Sequence, residues 1–430
     1  MMRYKTKILS LFNGKEVRGA SALASSSIIA QGIALLVTPI LSRLYEPEAF
    51  GYLTLVVSIT GMVTPAIALR LESALMLDRR DDVASALFAL GLIAATLISG
   101  LTILGLEICF FLGLLEPMAK LSGFSLWVGG ITFLSGLFIL LGQFALRERN
   151  YQAVASRNIT QGFSTSLAQL GLAATGLSAS GLIIGFFVGR LAGVVPLIKS
   201  ARSQIRTFSR ADMRYGLYRY RSFPLIFAPA ALLNASALAA PILFVGVYLE
   251  VKDAGQYGMA ERVLAVPIVI VAAALGQIVE ARLAFHYREQ VHGSSRYYLQ
   301  ISMLLAGFSL VVGAVVWIWA PTLIPFILGP EWQIAASIMQ LLVPMLMTRL
   351  IASPLSKALV VTSWARATLM LDIVRALVIA VILYVCFRTN ASLEAVVIST
   401  SLSFTVVYVA TWIVGLSAVQ NLDSKVKTVE

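Results

Sequence analysis

Several charged residues lie inside long apolar stretches of this chain, where a charge needs a specific partner. Arg190 lies about midway along the apolar stretch 181–198, and Arg349 lies near the middle of the stretch 335–361. A charged side chain at the centre of a bilayer costs at least ~2.5–3.5 kcal/mol on insertion scales and marks a functional-site hypothesis. Neither arginine has an acidic residue one helical turn away. We therefore expect each to face a partner on another helix, water or an anionic ligand.

Carboxylates accompany cations in two other apolar stretches. Asp372 and Arg375 lie three residues apart in the stretch 367–387, so they share one helical face and can form an internal ion pair. Glu261 lies in the first turns of the stretch 256–279. A carboxylate beside a water-filled cavity can exchange a proton at modest cost. Asp372 and Glu261 are therefore the candidates for coupling to an ion gradient.

The sign of these internal charges indicates a class of substrate. Their sum is positive. Guanidinium groups bind phosphate and pyrophosphate through two parallel hydrogen bonds, so a cavity lined by arginine suits such anions. A cavity for cationic drugs would need carboxylates instead. The internal arginines therefore favour a phosphate-bearing or pyrophosphate-bearing substrate.

Motifs for nucleotide or metal chemistry are missing from the sequence. No GxxxxGK[ST] phosphate-binding loop occurs, which argues against ATP-driven transport by this chain alone. The two histidines, His286 and His292, form no HExxH zinc motif. The two cysteines, Cys109 and Cys386, are too few for a disulfide framework or a metal site. We expect no cofactor, and a proton or sodium gradient as the energy source.

The composition identifies the elements that must position these charges. Of the 430 residues, 59% are apolar and 13% are charged, and the net charge is +12. A soluble globular protein is about 45–50% apolar and about 25% charged. The composition therefore excludes a cytosolic enzyme, a secreted disulfide scaffold and a disordered chain, and it predicts an integral membrane protein.

Apolar stretches long enough to cross a bilayer recur from end to end. A transmembrane helix needs about 20 such residues, and only helices satisfy their own backbone in lipid at this length. We predict an all-α polytopic membrane protein with about twelve transmembrane helices. The predicted stretches are 20–41, 50–69, 84–111, 124–146, 159–176, 181–198, 223–247, 256–279, 297–319, 335–361, 367–387 and 393–416.

The distribution of lysine and arginine predicts the orientation. If the N-terminus is cytoplasmic, twenty-four of the 33 cations lie in cytoplasmic stretches and four lie on the opposite side. This asymmetry matches the positive-inside rule. The pattern predicts a multi-pass protein of a bacterial inner membrane with both termini in the cytoplasm.

The longest polar stretch divides the chain into two halves. Residues 199–222 read KSARSQIRTFSRADMRYGLYRYRS, and six apolar stretches lie on each side. We predict an N-terminal six-helix lobe at 1–198, a basic cytoplasmic linker at 199–222 and a C-terminal six-helix lobe at 223–430. The linker is typical of an amphipathic helix at anionic lipid headgroups, and we expect no nucleic acid. A short Pro-Ile-Leu match, at residues 39–41 and 241–243, suggests parallel repeats, as in secondary transporters.

Several short segments form a recognisable pattern. In residues 220–277 they are Phe223-Pro224, LLN at 232–234, the P-x-L end of a helix at 241–243, the AG-x-Y turn at 254–257 and the R-V-L-x-x-P run at 262–267. The first half adds LSRLYEPEAFGYLTL at 41–55 and ALRLESALMLDRRDDVA at 68–84, which contains an R-x-E-x-A-x-x-L segment. In their order and spacing, these segments resemble the Wzx-type polysaccharide flippases of the multidrug/oligosaccharidyl-lipid/polysaccharide exporter superfamily.

The resemblance implies a mechanism and a substrate. It implies two six-helix lobes with alternating access, which move an undecaprenyl-pyrophosphate-linked oligosaccharide from the cytoplasmic to the outer leaflet for O-antigen, capsule or exopolysaccharide synthesis. It also implies coupling to an ion gradient and contact with the polysaccharide polymerase machinery and membrane lipids. Our hypothesis is that Arg190 and Arg349 contact the pyrophosphate, that Arg375 assists, and that Arg70 lies at the cytoplasmic mouth.

Other function classes make different predictions. A cation-coupled multidrug exporter of the same superfamily predicts an acidic central cavity. A membrane-embedded enzyme acting on the same lipid carrier, such as a polymerase or glycosyltransferase, needs carboxylate motifs or a large extramembrane domain, whereas the longest loop here is basic and about 24 residues long. A scaffold for an envelope complex is a third alternative. The sequence favours a secondary transporter over an enzyme.

Overall fold

The computed structural model describes residues 14–201, 205–289, 293–362 and 364–427, and the regular elements in these ranges are helices. The chain forms two compact units. The first consists of residues 1–44 and 59–232, and the second of residues 45–58 and 233–430. The helices α2 and α10, defined below, each begin in one unit and end in the other.

Up to residue 232, the described residues form nine helices and the start of a tenth. They are α1 Gly14–Leu44, α2 Pro47–Val63, α3 Leu71–Leu75, α4 Asp81–Phe111, α5 Glu116–Ala119, α6 Phe124–Arg147, α7 Tyr151–Ala173, α8 Ser178–Ala201, α9 Arg210–Arg219 and α10 Ala228–Tyr248. A 3-10 turn, Thr64–Ala66, follows α2, and a π-helical turn, Phe223–Phe227, leads into α10.

The described residues beyond α10 form seven further helices. They are α11 Val251–Glu289, α12 Ser294–Leu328, α13 Gln333–Leu341, α14 Val343–Leu355, α15 Lys357–Val361, α16 Ala365–Arg388 and α17 Leu393–Lys427. The stretch 335–361, predicted as one span, is broken into three helices. Pro344 in the first turn of α14 and Pro354 near its end cannot donate the backbone hydrogen bonds that a continuous helix needs.

Every predicted apolar stretch lies on helical structure. Ten helices in the described part of the chain are long and apolar enough to cross a membrane. The two predicted spans outside this set lie on α7 and α11, whose sequences contain more polar residues. The protein is a multi-pass membrane protein.

Close packing of α8 against α7 explains how a polar helix is accommodated. Gly185 and Gly189, four residues apart on α8, face Gln169 and Thr165 of α7. A Cβ atom at Gly189 would lie 1.8 Å from the Oγ1 of Thr165, so only glycine permits this approach. Gln169 is buried and donates from Nε2 to the carbonyl of Leu182 at 2.9 Å. Polar side chains of α7 are therefore packed against α8.

We expect Gly189→Ala to reduce stability, because the added methyl group collides with Thr165. Overpacking of this kind costs about 1–3 kcal/mol. Gly171→Ala on α7 is the matched control, since a Cβ there meets no atom within 4 Å and alanine favours a helix. Thermal unfolding in detergent measures both variants. Equal melting temperatures for the two would contradict the packing described for α7 and α8.

In the second unit, the start of α11 packs closely on residues 45–58. Gly255 and Gly258 lie against Pro47 and Thr54, with no room for a side chain at either glycine. Gln256, between them, is fully buried and donates from Nε2 to the carbonyl of Glu331 at 2.7 Å. The AG-x-Y segment at 254–257 was predicted as a turn. It lies instead in the first turns of α11, where Gly255 allows close contact with Pro47.

Candidate functional site

Arg190 lies on α8 in the first unit, beside two aromatic rings. Its guanidinium carbon is 5.2 Å from the ring centre of Phe138 on α6 and 5.3 Å from that of Phe186, one turn earlier on α8. These distances are within the range of cation–π attraction. The Nε atom of Arg190 is buried and has no hydrogen-bond partner among the residues that the structure describes.

A second arginine, which the sequence analysis counted as a cytoplasmic cation, shares the same ring. Arg157, on the second turn of α7, places its guanidinium carbon 3.8 Å from the ring centre of Phe138. It also donates to the Phe138 carbonyl at 3.4 Å. Arg157 and Arg190 are called the arginine pair below. The sequence signal for Arg157 was its place on a helix with a low density of apolar residues.

The arginine pair is held by neutral groups. Arg157 donates from Nη2 to the Oδ1 of Asn158 at 3.0 Å, and Asn158 donates to the hydroxyls of Ser26 and Ser27 on α1, both at 3.1 Å. Gly142 on α6 has no side chain and so leaves room for the Arg157 guanidinium. A Cβ atom at Gly142 would lie 2.7 Å from the Nη1 of Arg157. Three helices of the first unit therefore fix the position of Arg157.

The positive charge of the arginine pair is not neutralised by the protein. Within the part of the chain that the structure describes, no carboxylate lies within 4 Å of either guanidinium. The two guanidinium groups are also close enough to repel each other. Unpaired charge is costly in a low-dielectric setting. The arrangement therefore suits an anionic ligand that accepts hydrogen bonds from both arginines.

Arg70 lies on a different element, in the connection between α2 and α4. It precedes α3 with a left-handed backbone, φ 60°, directly after Leu69 with φ 53°. Its Nη1 lies 3.8 Å from the Oε1 of Glu72, a carboxyl that is only 5% exposed and whose Oε2 has no hydrogen-bond partner. Two adjacent left-handed residues that are not glycine are strained, as often occurs at functional positions. Glu72 is a site residue that the sequence analysis did not select.

Burial raises the pKa of Glu72, against the opposing effect of the Arg70 guanidinium. A carboxyl whose pKa is higher in the folded protein than in the unfolded chain stabilises the fold at low pH, and this contribution is lost as the pH rises through the folded pKa. We therefore expect the melting temperature of the wild type, relative to Glu72→Gln, to fall as the pH rises above about 4.3, the ordinary pKa of glutamate. Thermal unfolding at a series of pH values from about 4 upward tests it. A difference that stays constant or grows with pH would contradict the assignment.

In the second unit, Arg349 on α14 and Glu261 on α11 are both partly buried. They lie close enough to interact electrostatically, without an ion pair within 4 Å among the described residues. Glu261 also acts electrostatically on the buried Tyr257, whose hydroxyl interacts with the side chain of Thr400 on α17. The structure therefore brings together two residues that the sequence selected separately.

Asp372 and Arg375 form the ion pair that their spacing predicted. The Nη1 of Arg375 lies 3.3 Å from the Oδ1 of Asp372 on α16 and donates to the Oδ1 of Asn234 on α10 at 2.7 Å. The guanidinium carbon is 5.8 Å from the ring centre of Tyr408 on α17. Arg375 therefore connects three helices of the second unit, and its charge is paired.

Lys357 is a further internal cation that is paired. Lys357 lies 3.3 Å from the Oε2 of Glu280. Among the described residues, no group of three or more histidine, cysteine, aspartate or glutamate side chains could hold a metal ion. In the first unit, the partners of the arginine pair among the described residues are all neutral.

Comparison with known proteins places the chain in a family. A family model described as a polysaccharide biosynthesis protein matches residues 40–337, which is more than half of the chain. The chain belongs to the polysaccharide biosynthesis protein family. No curated protein matches the chain.

Solved structures with the same fold are transporters of the MOP superfamily. An inward-facing multidrug resistance transporter of the MATE family superposes with a TM-score of 0.72 at 13% identity, covering 94% of this chain and 99% of that one. The lipid II flippase MurJ, in an inward closed conformation, gives 0.71 at 12% identity, with 96% and 91% covered. A MOP transporter from Pyrococcus furiosus, described as having a binding pocket of reverse polarity, gives 0.58 at 14%, with 95% and 96% covered.

These matches confirm the predicted fold class. The shared fold is all-helical and polytopic, with twelve transmembrane helices in two lobes. The resemblance to polysaccharide transporters of the superfamily is confirmed at the level of family and fold. This chain is therefore a multi-pass membrane protein of the polysaccharide biosynthesis protein family, with the fold that transporters of the MOP superfamily have.

Proposed function

We propose that the protein is a flippase for undecaprenyl-pyrophosphate-linked oligosaccharide. It moves this substrate from the cytoplasmic to the outer leaflet of a bacterial inner membrane, for the synthesis of O-antigen, capsule or exopolysaccharide. The observation that carries the proposal is the arginine pair, which has no carboxylate within 4 Å among the described residues, in a transporter of a polysaccharide biosynthesis family.

The chemistry of the arginine pair supports a pyrophosphate ligand. A pyrophosphate headgroup is at least dianionic, and moving it through hydrocarbon unaided is prohibitively costly. Two guanidinium groups supply the compensating charge and several directed hydrogen-bond donors. Arg190 has a buried Nε with no partner, so a phosphate oxygen would satisfy a group that is otherwise unpaired.

The remaining site residues receive supporting roles in this proposal. Arg349 is proposed as a further contact of the pyrophosphate during transport, and the nearby Glu261 carboxylate is proposed to exchange the coupling ion. Arg375, which is paired with Asp372, assists in binding the pyrophosphate. Arg70 acts at the cytoplasmic mouth of the transport cavity. Since Asp372 is bound by a cation at 3.3 Å, Glu261 is the stronger coupling candidate of the two.

The proposed cycle uses alternating access driven by a proton or sodium gradient. Both termini lie in the cytoplasm, in accordance with the distribution of lysine and arginine. The lipid-linked oligosaccharide enters from the cytoplasmic leaflet, and the polysaccharide polymerase machinery receives it on the opposite side. The structural similarity to the lipid II flippase MurJ supports a lipid-linked substrate.

Loss of the arginine pair should abolish flipping. Hydrogen bonds to charged groups contribute about 1.5–3 kcal/mol, so Arg157→Ala and Arg190→Ala should each slow transport about tenfold or more. The measurement is complementation of a strain that lacks the gene, followed by quantification of lipid-linked repeat units in the cytoplasmic leaflet. Lys120→Ala, at an exposed position, is the control and should complement fully.

Normal flipping by both arginine variants at normal expression would contradict the assigned site. A deletion strain with normal surface glycan and reduced drug resistance would instead support the multidrug exporter. The two functions can be distinguished, because the flippase proposal predicts that lipid-linked repeat units accumulate in the cytoplasmic leaflet of the deletion strain.

Coupling is tested by neutralising each carboxylate in turn. Glu261→Gln should retain substrate binding but lose the response to an imposed proton or sodium gradient, because the amide exchanges no ion at that position. Asp372→Asn keeps a hydrogen-bond acceptor for Arg375 and should keep the response. Transport into proteoliposomes with and without each gradient gives the comparison. A gradient response lost only in Asp372→Asn would reverse the assignment.

A further inference from the structure

The basic helix α9 is anchored to the start of α4 in the first unit. Gly216 is buried against Leu87, with a Cβ position 3.0 Å from the Cδ2 of that leucine. The guanidinium carbon of Arg80 lies 4.3 Å from the ring centre of Tyr215. The hydroxyl of Tyr220 donates to the Oδ2 of Asp78 at 3.1 Å. The helix therefore has a defined position and is not a loose linker.

One surface of α9 forms a shallow basic pocket of about 580 Å³. We call it the α9 pocket, and it is lined by Ala211, Arg214, Tyr215, Leu217, Tyr218 and Arg221. Arg214 and Tyr218 lie one turn apart on α9, and Arg221 lies in the turn that follows the helix. The guanidinium carbon of Arg221 lies 5.2 Å from the ring centre of Tyr218, a side chain that is 74% exposed.

The lining contains two cations and no acidic residue. The carboxylate on the helix, Asp212, is engaged in a capping box with Ser209, where its Oδ2 accepts from the Ser209 backbone at 2.9 Å. The positive charge of Arg214 and Arg221 is therefore available to a ligand outside the protein.

The α9 pocket lies at the edge of the membrane. Helix α8, a candidate membrane span, ends at Ala201, and the next candidate span begins at Phe223. The contacts of α9 with Val83 and Leu87 are with the first turns of a third candidate span, Asp81–Phe111. Exposed tyrosine beside arginine is typical of the interface between lipid headgroups and water.

We propose that the α9 pocket binds the headgroup of an anionic phospholipid, of the phosphatidylglycerol or cardiolipin type. Arg214 and Arg221 donate to the phosphodiester oxygens, and the rings of Tyr215 and Tyr218 lie at the level of the glycerol backbone. The charge of the pocket complements the headgroup, and the adjoining membrane span presents the acyl chains. This site is separate from the arginine pair and does not depend on the identity of the transported substrate.

The test uses the purified full-length protein with delipidation and controlled lipid addition. Arg214→Gln/Arg221→Gln removes the two pocket cations. Arg210→Gln/Arg219→Gln is the matched control, since it removes the same charge from exposed positions of the same helix outside the pocket. Native mass spectrometry measures bound phosphatidylglycerol and phosphatidylcholine.

We expect the pocket variant to retain about tenfold less phosphatidylglycerol than the wild type, from the loss of charge-assisted hydrogen bonds. The control variant should retain the wild-type amount, and phosphatidylcholine should be unaffected. Equal losses in both variants would show non-specific attraction and overturn the proposal. Unchanged lipid retention, together with loss of a co-purifying acidic protein in the pocket variant alone, would overturn it in favour of a protein partner.

Discussion

Positive charge without a neighbouring carboxylate, held inside a helical unit, is the constraint on which this account depends. Arg157 and Arg190 both contact the ring of Phe138, and Arg157 donates hydrogen bonds to the neutral groups of Phe138 and Asn158. Cation–π attraction offsets only part of the cost of burying two like charges. The close contact of α8 with α7, made possible by Gly185 and Gly189, brings the two helices together and preserves this arrangement.

In the second unit, two internal arginines have a carboxylate nearby. Arg375 is paired with Asp372, and Arg349 interacts with Glu261. The combined charge of an arginine and a neighbouring carboxylate changes when the carboxylate binds a proton or another cation. Two arginines without a carboxylate keep the same total charge. This difference is the physical basis for assigning anion binding mainly to the first unit and ion coupling to the second.

The sequence alone identified those site residues whose neighbours in the chain distinguish them from ordinary surface charges. Arg190 was found because its neighbours are apolar, and the pair of Asp372 with Arg375 followed from a spacing of three. Arg157 was missed because it lies at the polar start of α7, where a cytoplasmic cation and a site residue have the same local pattern. Asn234 and Phe138 were also missed, because contacts between helices leave no periodic signal. The twelve helical stretches were predictable from hydropathy, but the breaks around Pro344 were not.

The most direct test of the central claim is binding of a short-chain prenyl diphosphate to the purified protein. Isothermal titration calorimetry should show binding to the wild type that weakens about tenfold or more in Arg157→Gln/Arg190→Gln, with much weaker binding of the corresponding prenyl alcohol, which lacks the phosphates. Equal affinity of the wild type and this double variant for the diphosphate, with both proteins folded, would contradict the claim that the arginine pair binds the substrate headgroup.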